Sequence, residues 1–552
     1  MSMLSERWGI RELNWPQIYF ILNASDCTRS SNARINGDLP LHSSDDPLWS
    51  TKTFKKKLLR IIDQFCLMQE VISIAASSSL GHLCTHLYNV QESYIPYLKK
   101  TKITHQNDIF LEPSKQNGRV NYYPRAINVQ LNGGFGFLGK YTFQDPSIDL
   151  SAFDGIELEK KPRVDKNVYQ QSLDEGKPTD NLMLNIENTK FFTDYNKLIY
   201  RPYSLLSIED YTHPEGTHKH FERYKFDSFK IGAEEYKNYE DDVDESFRKL
   251  LESLDNIQGV SLFSELDNGW SGFTNEMLVH LRDEYFNNGV SSKYNLWCYA
   301  IGSKSFTKQD TLTRIKGLIE LSKNSSLLFP LGIDQQLSLL LSTFHPESLW
   351  HRGLVHAYFV NSIWSTNNQS EGKTTMAEYE ANLLRGYHKR NIVNEIRLNE
   401  VETNTGTTVI DDPRIIEAVL RGEAPPKKEL RQLDLNLLSN SSSSKRFFSQ
   451  YIIPDNEKLK EKLDGKVCVN KDIGKLTSLD SSPAVFETDN LYTEFAQSTG
   501  LKDHLKQYRQ IIQRVRAPKD IEIVGDKQEL IEDISYLIDE YTQGYELEEE
   551  SD

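Results

Sequence analysis

The sequence predicts an α/β fold: a mostly parallel sheet flanked by helices, followed by a second region of α+β or helical character. Three observations carry that reading. Apolar, β-type runs alternate with helix-patterned segments between residues 70 and 301. One of these strand-to-helix turns, DNGWSGF at 267–273, contains glycines in the place where many α/β folds hold phosphate. Beyond about residue 310, helix-like text dominates (LIELSK, QQLSLLLSTF, TTMAEYEANLLRGY).

Residues 1–67 stand apart. Polar, turn-rich text (NASDCTRSSNARINGDLPLHSSDDPLWS) precedes one short amphipathic stretch, FKKKLLRIIDQF. A mitochondrial presequence would be poor in acids, and this segment carries Glu6, Glu12, Asp26, Asp38, Asp45, Asp46 and Asp63. It reads as a poorly ordered extension, with Met68 a candidate initiator directly before the first strand.

EVISIAA (70–76) is a buried-strand run, and the segment after it puts Leu83, Leu87 and Val90 on one helical face. RAINVQL (125–131) alternates Ile127, Val129 and Leu131, then breaks at GGFGFLG. Residues 145–185 are loop-rich, and 233–255 are charged and helix-like. They lead into VSLFSEL, the DNGWSG turn and a helix in which Phe273, Met277, Leu281 and Tyr285 recur every four residues. KYNLWCYAI (293–301) is the next strand. A Ser/Asn run, SNSSSS (439–444), reads as a linker or loop, and the chain closes on an acidic tail, YELEEESD.

At 552 residues, 38% apolar and 26% charged, the composition is that of a globular protein with a large core. A formal charge of −16 disfavours direct nucleic-acid binding. Cys27, Cys66, Cys84, Cys298 and Cys468 are scattered and odd in number, so they read as free thiols in a reducing compartment. No apolar run approaches the roughly 18–20 residues that span a bilayer.

GFGFLGK (134–140) fits the G-x-x-x-x-G-K pattern of a phosphate loop after the strand RAINVQL. Tyr141 stands where Ser or Thr must hold magnesium, and TFQDPSIDL contains Pro146 and no following helix. Gly133, Gly134 and Gly136 therefore read as turn glycines. His213, His218 and His220 lack a recognisable zinc spacing, and neither a G-x-S-x-G elbow nor an H-E-x-x-H helix occurs. In DNGWSG, Gly269 and Gly272 could let a phosphate approach, with Asn268 and Ser271 between them and their neighbours. Asp267 would repel the phosphate by roughly 1–4 kcal/mol at about 4 Å, and Trp270 would crowd it.

The order of these segments resembles tubulin. EVISIAASSSLGHLCTHLYNVQ is similar to its first strand, loop and helix, YYPRAINVQL to its Y-V-P-R-A-V segment, and the DNGWSG region to its G-G-G-T-G-S-G signature. NVQE, YPRA followed by GGFG, FTDY, P-x-S at Pro202–Ser204 and D-x-G-W-S-G together resemble the Misato family, over roughly residues 69–360.

That resemblance implies a tubulin-like fold in which 68–310 form a nucleotide-binding-type domain with degenerate loops and 311–552 a second region. It implies a peripheral, cytosol-facing mitochondrial protein, partly cytoplasmic, acting in mitochondrial distribution, morphology and DNA inheritance. Its implied partners are proteins, with a chaperonin or cytoskeletal and mitochondrial-surface proteins as candidates. The departures from tubulin argue against an enzyme. SSSLGH replaces G-Q-x-G-N-Q, Gln130 and Asn132 replace the metal-side acids, and no G-D-L-N-type loop occurs. No catalytic residue, metal or cofactor is expected, and a GTP-binding switch or GTPase with divergent loops is the alternative.

Overall fold

The computed structural model describes residues 69–95, 104–116, 118–137, 164–214, 225–286, 295–303, 307–333, 343–400, 432–438, 446–453, 476, 479–486 and 491–542. All lie in one compact unit, Met68–Asp552. The readings of 1–67, of the Ser/Asn run, of Lys140, His218 and His220 and of the acidic tail fall outside the described residues.

The strands, in chain order, are β1 (Glu70–Ala76), β2 (Leu111–Gln116), β3 (Arg119–Pro124), β4 (Ala126–Asn132), β5 (Leu205–Thr212), β6 (Ile257–Glu265), β7 (Asn295–Ser303) and β8 (Leu327–Ile333). Then come β9 (Glu395–Glu400), β10 (Gln432–Asp434), β11 (Phe447–Ile453) and β12 (Leu491–Ser498). Six form a sheet in the order β5-β4-β1-β6-β7-β8, every pair parallel. Counting only these six, the chain builds outward from β1 on one side, then returns to begin again at β6. That is the 3-2-1-4-5-6 order of doubly wound folds, in which ligands bind beyond the carboxyl ends of the strands where the order reverses. The reversal here lies between β1 and β6.

Both faces of this sheet are covered except along the edge strand β5, so the other five strands are mostly apolar on both sides. On one face Val71, Phe263, Tyr299 and Phe329 pack with Leu83 and Leu87 of α1 (Ser78–Ser93). Opposite, Ile72, Ile74, Leu262 and Cys298 pack against α3 (Phe229–Glu252), α4 (Gly269–Leu281) and α5 (Lys308–Asn324). A short α2 (Val168–Asp174) lies in the connection between β4 and β5. The first face is completed by α6 (Leu349–Asn367), α7 (Met376–Leu384) and Phe495 of an antiparallel sheet ordered β10-β9-β12-β11. The second is completed by α8 (Leu501–Arg514), α9 (Pro518–Val524) and α10 (Lys527–Glu540). The six-stranded sheet thus extends past residue 310, taking β8 as its last member.

α1 is buried from Leu80 to Gln91 on every side, not on one face alone. Its histidines find partners in place of water. His82 contacts the Tyr195 hydroxyl through Nδ1 (3.0 Å) and the Lys190 carbonyl through Nε2 (3.2 Å), and His86 Nε2 contacts the Trp350 carbonyl (2.9 Å). A neutral ring satisfies these bonds, and burial lowers both histidines to about 3.

Candidate functional site

A cavity of about 350 Å³ opens at the reversal point, lined among others by Ser77, Ser79, Glu265, Asn268, Trp270 and Arg352. The N-termini of α1 and α4 both begin here, as the fold dictates, because each helix follows the carboxyl end of a central strand. Such helix starts carry unpaired backbone N–H groups and partial positive charge, and they attract anions.

The anion present is the chain's own. The Glu265 carboxylate, at the end of β6, accepts a hydrogen bond from the Ser77 hydroxyl (2.8 Å) and another from the Ser79 hydroxyl on the same oxygen. Its second oxygen accepts from the Asn268 side-chain amide. Ser77 caps α1, accepting from the Leu80 amide, and Asn268 caps α4, accepting from the Trp270 amide. One carboxylate therefore joins the caps of both helices.

Ser77 adopts φ 140°, ψ 167°, a backbone region that belongs almost wholly to glycine. It is held there by its amide donating to the Val129 carbonyl (3.2 Å) and its carbonyl accepting from Gln130 Nε2 (2.8 Å). In the resemblance above, SSSLGH stands where tubulin has G-Q-x-G-N-Q, so Ser77 keeps a glycine's conformation and adds a hydroxyl. That hydroxyl serves Glu265.

The residues of the DNGWSG turn divide by role. Asp267, Asn268 and Trp270 line the cavity. Asp267 is bound in bidentate fashion by Arg314, with Nε–Oδ1 and Nη2–Oδ2 both 2.7 Å, and accepts from the Ser303 amide at 2.6 Å. Burial raises its carboxyl above the ordinary value, while Arg314 pulls the other way. The Trp270 ring is 4% exposed and packs edge-on against Phe226 and Phe273. Ser271 donates to the Asn268 carbonyl (2.8 Å) and abuts Gly317 of α5.

Gly269 and Gly272 do not open the backbone to the cavity. A Cβ on Gly269 would meet the Phe226 ring at 2.8 Å, and one on Gly272 would meet the Phe229 carbonyl oxygen of α3 at 1.9 Å. Gly133 (φ 81°) and Gly136 (φ 65°) turn the chain after β4. Gly134 sits against Leu131 and His213, and Phe135 between the glycines is buried in the core. Of the two amides read in place of metal-side acids, Gln130 donates through Nε2 to the Ser77 carbonyl (2.8 Å) while its buried Oε1 meets no donor, and Asn132 Nδ2 donates to the Glu209 carbonyl (3.4 Å). Among the described residues no group of three His, Cys, Asp or Glu could hold a metal ion.

Glu265 is the site residue that sequence reasoning passed over. It reads as the last residue of a strand, and the signal that marks it is spatial: three donors, two of them 186 and 188 residues away in the chain.

Residues 182–367 match the family model described as a tubulin domain, and residues 69–175 match the Misato segment II tubulin-like domain. With the parallel sheet and its crevice, this defines a tubulin-like protein. Protein DML1 of Debaryomyces hansenii is 39% identical over 499 residues, covering 88% of this chain and 99% of that protein. The DML1 proteins of Scheffersomyces stipitis (35% over 532 residues) and Candida albicans (32% over 572 residues) each match 88% of this chain and 99% and 100% of their own lengths. The chain belongs to the Misato family, the family of the DML1 proteins.

Proposed function

We propose that this chain is a non-enzymatic tubulin-like protein that acts in the partitioning and inheritance of mitochondria and mitochondrial DNA, and in mitochondrial distribution and morphology. One observation carries the non-enzymatic part: Glu265 lies between the two helix N-termini where a nucleotide's phosphate would bind. A phosphate brought within about 4 Å of that carboxylate meets a repulsion of roughly 4 kcal/mol at an effective dielectric near 20. Three donors already use most of the carboxylate's acceptor positions, leaving little for a magnesium ion. Gln130 and Asn132 are neutral amides where phosphoryl transfer needs carboxylates, so the negative charge that holds its metal has no replacement beside them.

The mitochondrial part is supported by membership of the Misato family. No helix of the described residues is long and apolar enough to cross a membrane. The proposed location is accordingly the cytosol-facing mitochondrial surface, held by protein partners, with a cytoplasmic fraction. The cavity of about 350 Å³ favours the alternative, a GTP-binding switch, and lies near the lower bound of ordinary ligand pockets.

Depleting the protein from cells is expected to cause loss of mitochondrial DNA and altered mitochondrial distribution, with the wild-type chain restoring both. Unchanged inheritance over many divisions after depletion would contradict the mitochondrial reading.

A further inference from the structure

We propose that Glu265 is a built-in anion that does the structural work of a bound phosphate: it ties the N-termini of α1 and α4 together across the point where the sheet reverses. The inference rests on the non-nucleotide reading above and adds to it a role for the residue that fills the place.

The geometry is that of a ligand site whose ligand is covalently attached. The donors come from two helices, Ser77 and Ser79 from the start of α1 and Asn268 from the cap of α4, and both carboxylate oxygens are used. These helices run 16 and 13 residues, so each brings a developed dipole with its positive end at the carboxylate. A phosphate or carboxylate is the chemistry such paired termini select. The strained Ser77 backbone is part of the same device. Its φ of 140° aims the hydroxyl at Glu265, and it is kept in place by Val129, Gln130 and Glu265 together. Asp267, two residues on, is unavailable for the role because Arg314 neutralises it. Asn268 cannot reverse its amide to suit another partner, since its oxygen already accepts from the Trp270 amide at 3.1 Å.

A chain without this carboxylate leaves donors and two helix ends facing one another around an empty, anion-sized space. Small anions from solution should then enter and restore what was lost, whereas the native chain, already occupied, should not respond.

The test is thermal unfolding of the full-length chain as wild type, Glu265→Ala, Glu265→Gln and, as a surface control on α3, Glu245→Ala. Each is measured in chloride, acetate and inorganic phosphate at matched ionic strength. Glu265→Ala is expected to lower Tm by at least about 2 °C in chloride, and acetate or phosphate is expected to recover at least half of that loss. The general stabilisation that phosphate gives any protein is read from the wild type and from Glu245→Ala and subtracted. Glu265→Gln keeps the shape without the charge and fills the space, so it is expected to lower Tm and to resist rescue. An unchanged Tm for Glu265→Ala, or a lowered one that acetate and phosphate raise no more than they raise the wild type, would overturn the proposal. If Glu265→Ala does not fold, Glu265→Gln decides: a wild-type Tm overturns the proposal and a lowered one supports it. Because the rescue is read on the variant and nucleotide content on the native chain, failure of this proposal and failure of the non-nucleotide reading are told apart.

Discussion

Gly272→Ala, a single added methyl group, is expected to destabilise the protein by at least about 3 kcal/mol, the upper end of ordinary overpacking costs. The cause is how closely α3 and α4 cross. A Cβ on Gly272 would stand 1.9 Å from the Phe229 carbonyl oxygen and 2.8 Å from the Ala233 amide nitrogen. Gly232 is the reciprocal contact, since its Cβ would meet the Gly269 carbonyl oxygen at 1.6 Å. All of these obstacles are backbone, so no side chain can rotate aside and the helices themselves must separate. Separation would also move Trp270 and the Asn268 cap, so the site should loosen along with the fold. Gly176→Ala is the control: its φ is 66° with nothing within 4 Å of the added carbon, so it should cost only the left-handed backbone penalty of about 1–2 kcal/mol. Urea unfolding midpoints compare the two, and a Gly272→Ala midpoint equal to that of the wild type would show that the helices do not cross as described.

A comparably large effect is expected from acid. His82, His86 and His356 are buried, and burial lowers each to about 3 from an ordinary 6.5. The unfolded chain therefore takes up protons below about pH 6.5 that the folded chain refuses, and stability is lost as pH falls through that value toward 3. Each such group removes about 1.4 kcal/mol per pH unit, so by about pH 4.5 the three together cost about 8 kcal/mol. Asp194 opposes them. Burial raises it to about 6, so its folded form binds a proton more readily, which returns about 2 kcal/mol at the same pH. For these four groups the net loss is about 6 kcal/mol, against the 5–15 kcal/mol that stabilises an ordinary protein. Urea titrations at about pH 7.5, 5.5 and 4.5 check this. A midpoint that holds steady to pH 4.5 would mean the histidines can be protonated in place.

The central sheet was legible because its strands are buried on both faces and read as apolar runs; EVISIAA, RAINVQL, VSLFSEL and KYNLWCYAI all fall on strands. LLFPLGI is less legible as a strand, since Pro330 at its centre argues against an interior position. It is in fact the last strand of the sheet, and along its outer edge Leu328 donates to Asn391 and Gly332 to Leu435, with Pro330 between the two bonds. The antiparallel sheet was hidden by distance: β9 and β12 pair across about ninety residues, and no periodicity announces such a partner. Polar residues concealed the all-round burial of α1, because His82, His86 and Asn89 look solvent-facing until Tyr195, Trp350 and Ser481 close over them. At the site, the turn glycines and the intrusive Trp270 were visible in the text. Which carboxylate stands among the donors was not, because Asp267 is drawn away by Arg314, 47 residues later, while Glu265 looks like ordinary strand-end polarity.

Whether Glu265 keeps nucleotide out is tested most directly by the nucleotide released from the purified native chain. Denaturing the protein and separating the supernatant by anion-exchange chromatography is expected to yield guanine nucleotide far below one mole per mole, with no GTP hydrolysis above buffer. Stoichiometric GTP or GDP would contradict the account, since a phosphate would then be seated where the carboxylate is described.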